Sequence, residues 1–455
     1  MRAMLPLFWP ETAAAHLIAA AFLGLALAAA WLTPSLFWVP PCAAVMVGAA
    51  LLLYHRVTGG CIAWLLLTGT TIEMTLADII GPQAFQTTIA VMKAAGIGLA
   101  VLCALRWGPR LDPFNPAWAF LAMAAVGLAA GLHPGLTVTD SLRSFAGSAA
   151  PFAFSFCRVP ARWGKAMIAA SRFCPLAAVG LGMVLDIAGV RPLFVDSGGA
   201  RLAATGHPAF LADVCLTAVY ASLLMLFRYG RGRDQGFLVL NLTILVLTGA
   251  RAPIAFAAAV TAAALLLARA PAFPMRRRWP LLLAGAAIAP LALALSAEFS
   301  AIRLFNLLGA DAGHLSGREL LWPAFESAAE AAPWFGWGLG AGNLIIAPDD
   351  PVARLLHTWA AHNEYLRIRV EGGWFGLTAL VTLFILWVWH NSRRLPLAEA
   401  LLTRLMFLAL AGHAVTDNVL ISSPASVLFT FAAAMFASHT PKDARNALPD
   451  STAIA

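Results

Sequence analysis

The chain has 455 residues, of which 61% are hydrophobic and only 11% are charged. A soluble globular protein carries about 25% charged residues, so this composition excludes a water-soluble protein and indicates an integral membrane protein. The formal net charge of +8 does not indicate a nucleic-acid-binding protein, because most of the charges lie in short clusters between apolar runs, where they report on membrane topology.

The apolar runs are continuous and rich in Ala and Leu over roughly 18–20 residues, which predicts helices rather than the alternating strands of a membrane barrel. About fourteen runs are long enough to span a bilayer. The weakest are 61–80, which contains Glu73 and Asp78, and 142–158; either could be half-buried or re-entrant, so twelve spans also fit. The predicted spans are 13–32, 36–54, 61–80, 85–105, 116–132, 142–158, 165–186, 209–227, 236–250, 252–270, 280–297, 373–390, 397–416 and 421–438.

The basic clusters predict the orientation of the chain. With fourteen spans, all of them fall on the same side as the N-terminus, and the positive-inside rule makes that side cytoplasmic. The external side then receives the loop 187–208, the turn at Arg251, the long segment 298–372 and the turn at Asp417. The clusters are Arg106/Arg110, Arg158/Arg162/Lys165, Arg228/Arg231/Arg233, Arg276/Arg277/Arg278, Arg393/Arg394 and Lys442/Arg445.

The long external segment is the only sizeable polar region, and a loop of this length is usually functional or a small domain. Ser316 followed by Glu319 is a capping-box pattern, which predicts a short helix within it. The predicted organisation is a transmembrane bundle of about eleven spans (1–297), a periplasmic loop carrying the chemistry (298–372), C-terminal transmembrane helices (373–438) and a disordered cytoplasmic tail (439–455).

The stretch "GWGLGAGN" places glycines at alternate positions, among them Gly338 and Gly340. No Gly-Lys-Ser/Thr follows, so it is not a Walker A loop, and no βαβ pattern surrounds it, so it is not a dinucleotide-binding turn. Two interpretations remain open: a flexible tight turn at the membrane surface, or a backbone that must approach a ligand or another loop closely.

The stretch "HNEYLRIRVEGGWFG", from His362 to Gly376, combines a histidine with two acids and two arginines just before an apolar run. A lone histidine at a membrane surface is commonly solvated or capping, but its imidazole can also accept a proton near neutral pH, as a general base must. If the segment is helical from its first residue, Leu366 and Arg369 share a face with His362, and Glu371 lies on the opposite side.

Arginine is disfavoured on the external side of a membrane protein, yet several are predicted there. Arg251 is the sharpest case, because it lies between two apolar runs with almost no loop, where an arginine is costly unless it is paired or functional. Its planar guanidinium suits phosphate oxygens; the alternative is a salt bridge to Asp417 or Glu298. Several external cations without an acid-rich metal cage indicate an anionic ligand, such as a diphosphate at the membrane surface. The other external arginines are Arg191, Arg201, Arg303, Arg318, Arg354, Arg367 and Arg369.

Other polar residues favour structural interpretations. Lys93 and Glu73 lie inside predicted spans and are interpreted as a structural pair or as part of a proton path. Asp349 and Asp350 in "PDDPV" are interpreted as a turn. The six cysteines fall inside apolar runs at no ligand spacing, which favours small buried hydrophobes over disulfides or a metal site.

Four motifs in order resemble those of the O-antigen ligase and polymerase superfamily. After "GWGLGAGN" comes the family pattern His-Asn-x-x-Leu, then Glu-x-Gly-x-x-Gly, with His362, Asn363 and Glu371 in place. "RLAATGHPAFLA" resembles the Arg…Gly-x-x-x-Pro-Asn loop, with Ala209 where Asn is usual. "LTGARAPI" resembles the Thr-Gly-Ser-Arg turn, with Ala250 in place of Ser, and "SGRELLW" resembles the Ser-Gly-Arg…Trp element.

The resemblance implies a GT-C-like glycosyltransferase of the bacterial inner membrane, whose active site faces the periplasm. With the span count, it predicts an all-α integral membrane protein of about 12–14 transmembrane helices with one long periplasmic loop. The implied donor is an undecaprenyl-diphosphate-linked glycan and the acceptor is lipid A–core or a lipid-linked glycan, with no metal or other cofactor. Carried over by position, the general base is His362, the diphosphate ligands are Arg251, Arg318 and Arg201, and the supporting residues are Asn363, Glu371, Gly338, Gly340 and, by a looser match, Asp417.

Competing functions remain at this stage. A polymerase of the same superfamily shares these motifs, and the ligase-type assignment rests on motif order alone. A secondary transporter would suit the many spans and intramembrane charges, but the polar residues concentrate at one membrane face rather than at the midplane. The shape-and-division polymerase family also uses lipid-diphosphate sugars, but it lacks the His-Asn element.

Overall fold

The computed structural model describes residues 20–21, 24–25, 39–196, 199–294, 320–347, 349–356 and 358–438. Regular structure in these residues is almost all α-helical. This is expected where alanine and leucine dominate and where lipid offers no hydrogen-bond partners to the backbone. The helices are α1 (Val39–His55), α2 (Val57–Thr70), α3 (Glu73–Ile80), α4 (Pro82–Trp107), α5 (Ala117–Ala130), α6 (Val138–Ala149), α7 (Ala161–Ser171), α8 (Cys174–Ile187), α9 (Pro208–Tyr229), α10 (Gly232–Leu247), α11 (Arg251–Leu267), α12 (Met275–Ala294), α13 (Trp322–Ala331), α14 (Pro351–Leu356), α15 (Glu364–Ser392), α16 (Leu397–His413) and α17 (Ser423–Ala437).

Helix α9 is the centre of the bundle. In its most apolar 18-residue window, 83% of the residues are buried within the protein, against 28% for α4, whose surface is left largely for lipid. The neighbours of α9 are α2, α7, α8, α10, α11, α16 and α17. A separate apolar cluster, which includes Leu321, Phe325 and Val370, holds α13 and the loop after it against the first half of α15.

Three helices in the described ranges are each long and apolar enough to cross a membrane: α4 from Gln83 onward, α9 and α15. Five spans are available if each of two bent pairs is one span, namely Met46–His55 with α2, bent by 99°, and α7 with α8, bent by 44°. The predicted helical membrane fold is therefore confirmed in outline, while the count of 12–14 spans and the GT-C-like arrangement stay predictions. Most of the predicted span 13–32 lies outside the described residues.

Two predicted spans are not single α-helices. Segment 61–80 is broken at Thr71, whose left-handed φ of 53° ends α2 before α3 begins. Segment 142–158 consists of the polar-faced helix α6, capped by Thr137, followed by a 3-10 helix over Ala150–Phe156. Pro151 at the start of that 3-10 helix lacks a backbone N–H and so cannot donate to the carbonyl four residues earlier, which explains why α6 does not continue.

Lys93 does not form the predicted pair with Glu73. Its Nζ donates hydrogen bonds to the carbonyls of Gly147, at 2.9 Å, and Ile421, at 2.8 Å. The ammonium therefore joins three distant parts of the bundle, which is a structural role.

The polar segment before α15 contains short elements, α13, a 3-10 helix over Ala341–Asn343, and α14. Helix α15 begins at Glu364 and has a non-helical residue at Gly373 (φ 60°, ψ −160°), so the predicted boundary at 373 coincides with a kink. The capping-box pattern at Ser316 and Glu319 lies outside the described residues.

Candidate active site

His362 and Asp417 are in direct contact at one end of the bundle. Nδ1 of His362 lies 2.8 Å from Oδ1 of Asp417. The two side chains are 23% and 22% exposed, so they are reachable from outside while protein covers most of their surface. A carboxylate on Nδ1 orients the imidazole and stabilises the imidazolium that forms when the other ring nitrogen takes a proton. The pair therefore has the geometry of a general base with its orienting acid.

The backbone around His362 is fixed by the end of α16. His362 has a φ of 46°, a left-handed conformation that a non-glycine residue keeps only when its surroundings impose it. The Asn363 side chain caps α15 by accepting a hydrogen bond from the Leu366 N–H at 3.1 Å, and the Glu364 N–H donates to the Ala414 carbonyl at 2.8 Å. Because α15 starts only after His362, the prediction of a shared helical face with Leu366 is wrong.

Thr358 contacts the second ring nitrogen of His362. Nε2 lies 3.1 Å from Oγ1 of Thr358. In a neutral ring the proton resides on Nδ1, because the Asp417 carboxylate can only accept, so the Thr358 hydroxyl donates to Nε2. The hydroxyl of Thr358 thus occupies the place where an incoming hydroxyl would lose its proton. The sequence analysis did not single out this residue.

Arg201 lies in a short hairpin that reaches the turn before α11. Strand β1 (Phe194–Asp196) pairs antiparallel with β2 (Ala200–Leu202). Arg201 is buried, and its Nε donates to the carbonyl of Thr248 at 2.7 Å. This bond connects the Arg201 motif directly to the motif that contains Arg251.

Arg251 is the first residue of α11, and α11 lies against the end of α16. The Phe256 ring is 5.8 Å from the His413 imidazole, and a Cβ on Gly412 would lie 2.9 Å from the Phe256 ring. Because Arg251 begins one of these helices and Asp417 closely follows the other, both residues lie at the same end of the bundle. Arg318, the remaining predicted diphosphate ligand, lies outside the described residues.

His207 is close enough to Arg201, His362 and Asp417 to interact with them electrostatically. The sequence analysis did not single it out. It caps α9, and its Nδ1 accepts a hydrogen bond from the Ala209 N–H at 3.2 Å. The residue is exposed to solvent on one side, while the protein around the rest of it desolvates the ring and, with Arg201, lowers the pKa of His207 to about 4; His362 lowers it further and Asp417 opposes this. At neutral pH, His207 is therefore a neutral ring with Nε2–H as its donor.

The loop before His207 is held against the break between α2 and α3. Arg191 forms an ion pair with Asp78 and donates to the Gly206 carbonyl at 2.8 Å. Oγ1 of Thr75 donates to the Thr205 carbonyl at 2.5 Å. Arg191, one of the predicted external cations, therefore holds this loop in place.

Residues 236–381 match the family model described as O-antigen ligase. This match, over about a third of the chain, supports membership of the O-antigen ligase superfamily. The match agrees with the predicted family, and that family indicates an O-antigen ligase- or polymerase-type, glycosyltransferase-like bacterial membrane enzyme that acts on lipid-linked glycans. No curated protein matches the chain. The matched segment includes Arg251, the glycine motif and His362, whereas Arg201, His207 and Asp417 lie beyond its ends.

Within the O-antigen ligase segment, Arg367 serves a buried ion-pair network. Its Nη1 lies 2.6 Å from Oε2 of Glu371, and its Nε lies 3.1 Å from Oε2 of Glu364. All three side chains are buried. Removing one partner from such a network leaves a charge that its neighbours no longer compensate. Arg367 and Glu371 thus hold the first turns of α15, and Arg367 does not belong to the external anion site.

The glycine motif packs against the kink in α15. The Gly338 N–H donates to the Glu371 carbonyl at 3.0 Å, just before the non-helical Gly373. Gly336 has a φ of 68°, and a Cβ there would lie 2.5 Å from the carbonyl carbon of Glu371; Gly338 and Gly340 have φ values of 90° and 97°. Of the two interpretations, close approach to another segment is correct, and that segment is a helix of the same chain.

A second acid–imidazole contact lies behind the first. Nδ1 of His413 is 3.7 Å from Oδ1 of Asp213, and the two residues line a cavity together with Tyr220 and Ser422. The Asp417 N–H donates to the His413 carbonyl at 3.0 Å. Polar groups therefore continue from the His362–Asp417 pair into the bundle.

Proposed function

We propose that this protein transfers a glycan from an undecaprenyl-diphosphate-linked donor to an acceptor hydroxyl on the periplasmic face of the inner membrane, as an O-antigen ligase with lipid A–core as acceptor. The observation that carries the proposal is the 2.8 Å contact between His362 and Asp417. Its support is the family membership and the joining of the Arg201 and Arg251 motifs at the same end of the bundle.

In the proposed reaction, Nε2 of His362 removes the proton of the acceptor hydroxyl as its oxygen attacks the anomeric carbon of the donor glycan. The new carbon–oxygen bond forms on the face opposite the diphosphate, and the bond to the diphosphate oxygen breaks, so the configuration inverts. A sugar hydroxyl is a poor nucleophile, so a positioned base is needed. Asp417 stabilises the imidazolium, which holds the proton until the product leaves.

The leaving diphosphate gains negative charge as its bond breaks. Arginines bind such a group with paired donors, and preorganised cations in a partly dehydrated cleft stabilise it more than water does. We assign this role to Arg201, Arg251 and Arg318. His207, neutral and next to Arg201, is suited to donate a hydrogen bond to a substrate oxygen. Since the charge is offset by side chains, we propose that no metal is required.

The direct test is transfer by the purified full-length protein, with lipid-linked glycan as donor and lipid A–core as acceptor. The wild type is expected to retain its activity in excess EDTA, and the His362→Ala variant is expected to lose it. His55→Ala, an exposed histidine remote from the site, is the matched control. Full activity of the His362 variant would rule out the base assignment, and loss of wild-type activity in EDTA with recovery on adding Mg²⁺ would rule out metal independence.

A polymerase of the same superfamily is separated from a ligase by the products of a deletion strain. Loss of a ligase leaves full-length chains attached to the lipid carrier. Loss of a polymerase leaves single repeat units on lipid A–core. The second pattern would replace the ligase assignment while keeping the same residues at the site.

A further inference from the structure

The far end of the α15–α16 hairpin carries a group of exposed arginines. Helix α15 has 29 residues, so at 1.5 Å per residue its kinked axis is roughly 43 Å long, and this end is far from His362. Arg393 and Arg394 follow α15, and Arg404 projects from α16. All three are exposed, and in the described parts of the chain none of them has a carboxylate partner.

Two of the three guanidiniums lie over Trp389, and the third contacts the neighbouring residue His390. The guanidinium carbon of Arg404 lies 4.8 Å from the centre of the Trp389 ring, and that of Arg393 lies 5.9 Å away. Nε of Arg404 also donates to the Ser392 hydroxyl at 3.2 Å, and Arg394 bonds to His390. Two helices thus present their cations at one place, with an aromatic ring that is 51% exposed between them.

The same faces of the two helices are apolar and exposed along their length. On α15, Ile385 lies one turn before Trp389, and on α16, Leu397 and Leu408 lie two turns before and one turn after Arg404. Exposed apolar helix faces of a membrane protein are covered by lipid chains, and tryptophan is enriched where such a face meets the headgroups. The arginines therefore lie at headgroup level.

The positive charge at this place is in excess. Arg110 also lies here, bonded to Asn391 at 2.7 Å and 3.6 Å from Asp112, the one acid in contact with the group among the described residues. Burial lowers the pKa of Arg110, Asp112 raises it, and the guanidinium of Arg394 lowers it again. Asp112 offsets only one of the four positive charges, so this part of the surface has an excess of positive charge that favours an anionic ligand.

We propose that Arg393, Arg394, Arg404 and Trp389 form a binding site for the phosphate diester headgroup of an anionic phospholipid. The guanidiniums donate hydrogen bonds to the phosphate oxygens, and the apolar faces of α15 and α16 bind the acyl chains of the same molecule. By the distribution of basic clusters this lipid belongs to the cytoplasmic leaflet, opposite the site of glycan transfer. Charge complementarity and the continuous lipid-facing surface together favour a lipid over a soluble anion or an acidic protein.

The test titrates phosphatidylglycerol into the delipidated full-length protein in detergent and counts bound lipids by native mass spectrometry. The wild type is expected to retain one molecule more tightly than phosphatidylcholine, whose phosphate is neutralised by its own choline. Each basic side chain near an anionic surface contributes roughly fivefold to binding, so the triple variant Arg393→Gln, Arg394→Gln, Arg404→Gln should bind roughly a hundredfold more weakly.

A matched control removes the same charge from two other basic segments, by Arg231→Gln and Arg233→Gln at the start of α10 and Arg276→Gln at the start of α12. This control should keep the tightly bound lipid, and equal loss in both triple variants would show general charge attraction and overturn the site. Replacing the three site arginines with lysine keeps the charge, so it should retain more binding than glutamine if folding is intact. Displacement of the lipid by millimolar glycerol phosphate would assign the site to a soluble phosphate ester and overturn the proposal.

Discussion

The two ends of α15 treat positive charge in opposite ways. At its start, Arg367 is buried between Glu364 and Glu371, and nearby Arg201 is buried with Nε on a carbonyl. At its end, Arg393 and Arg394 are exposed, and no carboxylate in the described structure pairs with them. A buried arginine with carboxylate or carbonyl partners is held in one orientation, whereas an exposed arginine stays open to a further anionic partner. The comparison therefore separates arginines whose orientation the protein fixes, at the first end, from arginines that are available to a ligand, at the second.

The largest effect is expected from His362→Ala. Removing the base should lower the rate of glycan transfer roughly a thousandfold, because a positioned general base typically contributes 10²–10⁴-fold. Initial rates with purified protein in saturating donor measure it. The arginine-to-glutamine triple variant at the far end of α15 should leave this rate within about twofold in detergent with lipid added. A similar loss of transfer rate in the His362 variant and in the triple variant would contradict the difference between the two ends of α15.

Asp417→Asn should lower the rate roughly a hundredfold. The amide can donate to Nδ1, which favours the wrong imidazole tautomer and no longer stabilises the imidazolium. The control is Asp186→Asn, an exposed acid with no side-chain contact to the site. The curve of rate against pH separates an electrostatic role of Asp417 from a structural one. An electrostatic role should change the shape of this curve in Asp417→Asn, whereas a structural role should lower the rate equally at every pH. A rate equal to that of the wild type would remove Asp417 from the site.

Glu371→Gln should lower the free energy of unfolding by about 3–5 kcal/mol, because it breaks a buried ion-pair network and leaves Arg367 with less compensation. Thermal unfolding in detergent measures the change. Arg354→Gln, which changes an exposed arginine in α14, should change stability by less than about 0.5 kcal/mol. Equal stability of the two variants would contradict the buried network.

Gly336→Ala should lower the free energy of unfolding by about 1–3 kcal/mol. The added Cβ would meet the backbone of the α15 kink at 2.5 Å, and alanine disfavours the positive φ of this residue. Gly59→Ala is the control, since no atom lies within 4 Å of its Cβ position and it lies inside α2. That variant should be neutral or slightly stabilised. An equally stable Gly336 variant would argue against close packing of the motif.

The smallest effect concerns His207 and pH. Its native pKa of about 4 lies below the ordinary value of 6.5, so between these pH values the unfolded chain binds a proton that the native protein does not. Stability should therefore fall as the pH falls from about 6.5 to 4, and His207→Gln should make this part of the profile flatter. Melting temperatures at pH 7 and pH 5 for both proteins measure the difference. If the stability of the two proteins depended on pH in the same way, the lowered pKa of His207 would be contradicted.

The sequence was sufficient to place His362, Arg251 and Arg201 at one end of a helical bundle, because ordered motifs and charge clusters carry topology. It was insufficient for the contacts themselves. Nothing in the spacing shows that Asp417 reaches Nδ1 of His362, since the contact depends on how α15 meets the end of α16. Thr358 was missed for the same reason. The only local signal for His207 was its place directly before a proline that starts a helix.

Helix lengths were predicted less well than helix positions. Apolar composition predicts that a run is helical and buried, but local backbone chemistry decides where the helix stops. Thr71 and Pro151 each end a helix inside a predicted span, and Gly373 bends another. The role of Arg367 was open to prediction, because its partners lie three and four residues away on its own helix, the spacing at which helical side chains pair. Counting it among the external cations overlooked this spacing.

The hydroxyl of Thr358 on Nε2 of His362 has a consequence for fidelity. An activated donor at a site open to water is at risk of hydrolysis, since water is small enough to reach any free base. Here the resting base is already engaged by the chain's own hydroxyl. On the proposed mechanism, only an acceptor that also binds elsewhere in the site displaces Thr358 from His362. The Thr358 hydroxyl would therefore limit hydrolysis of the donor while no acceptor is bound.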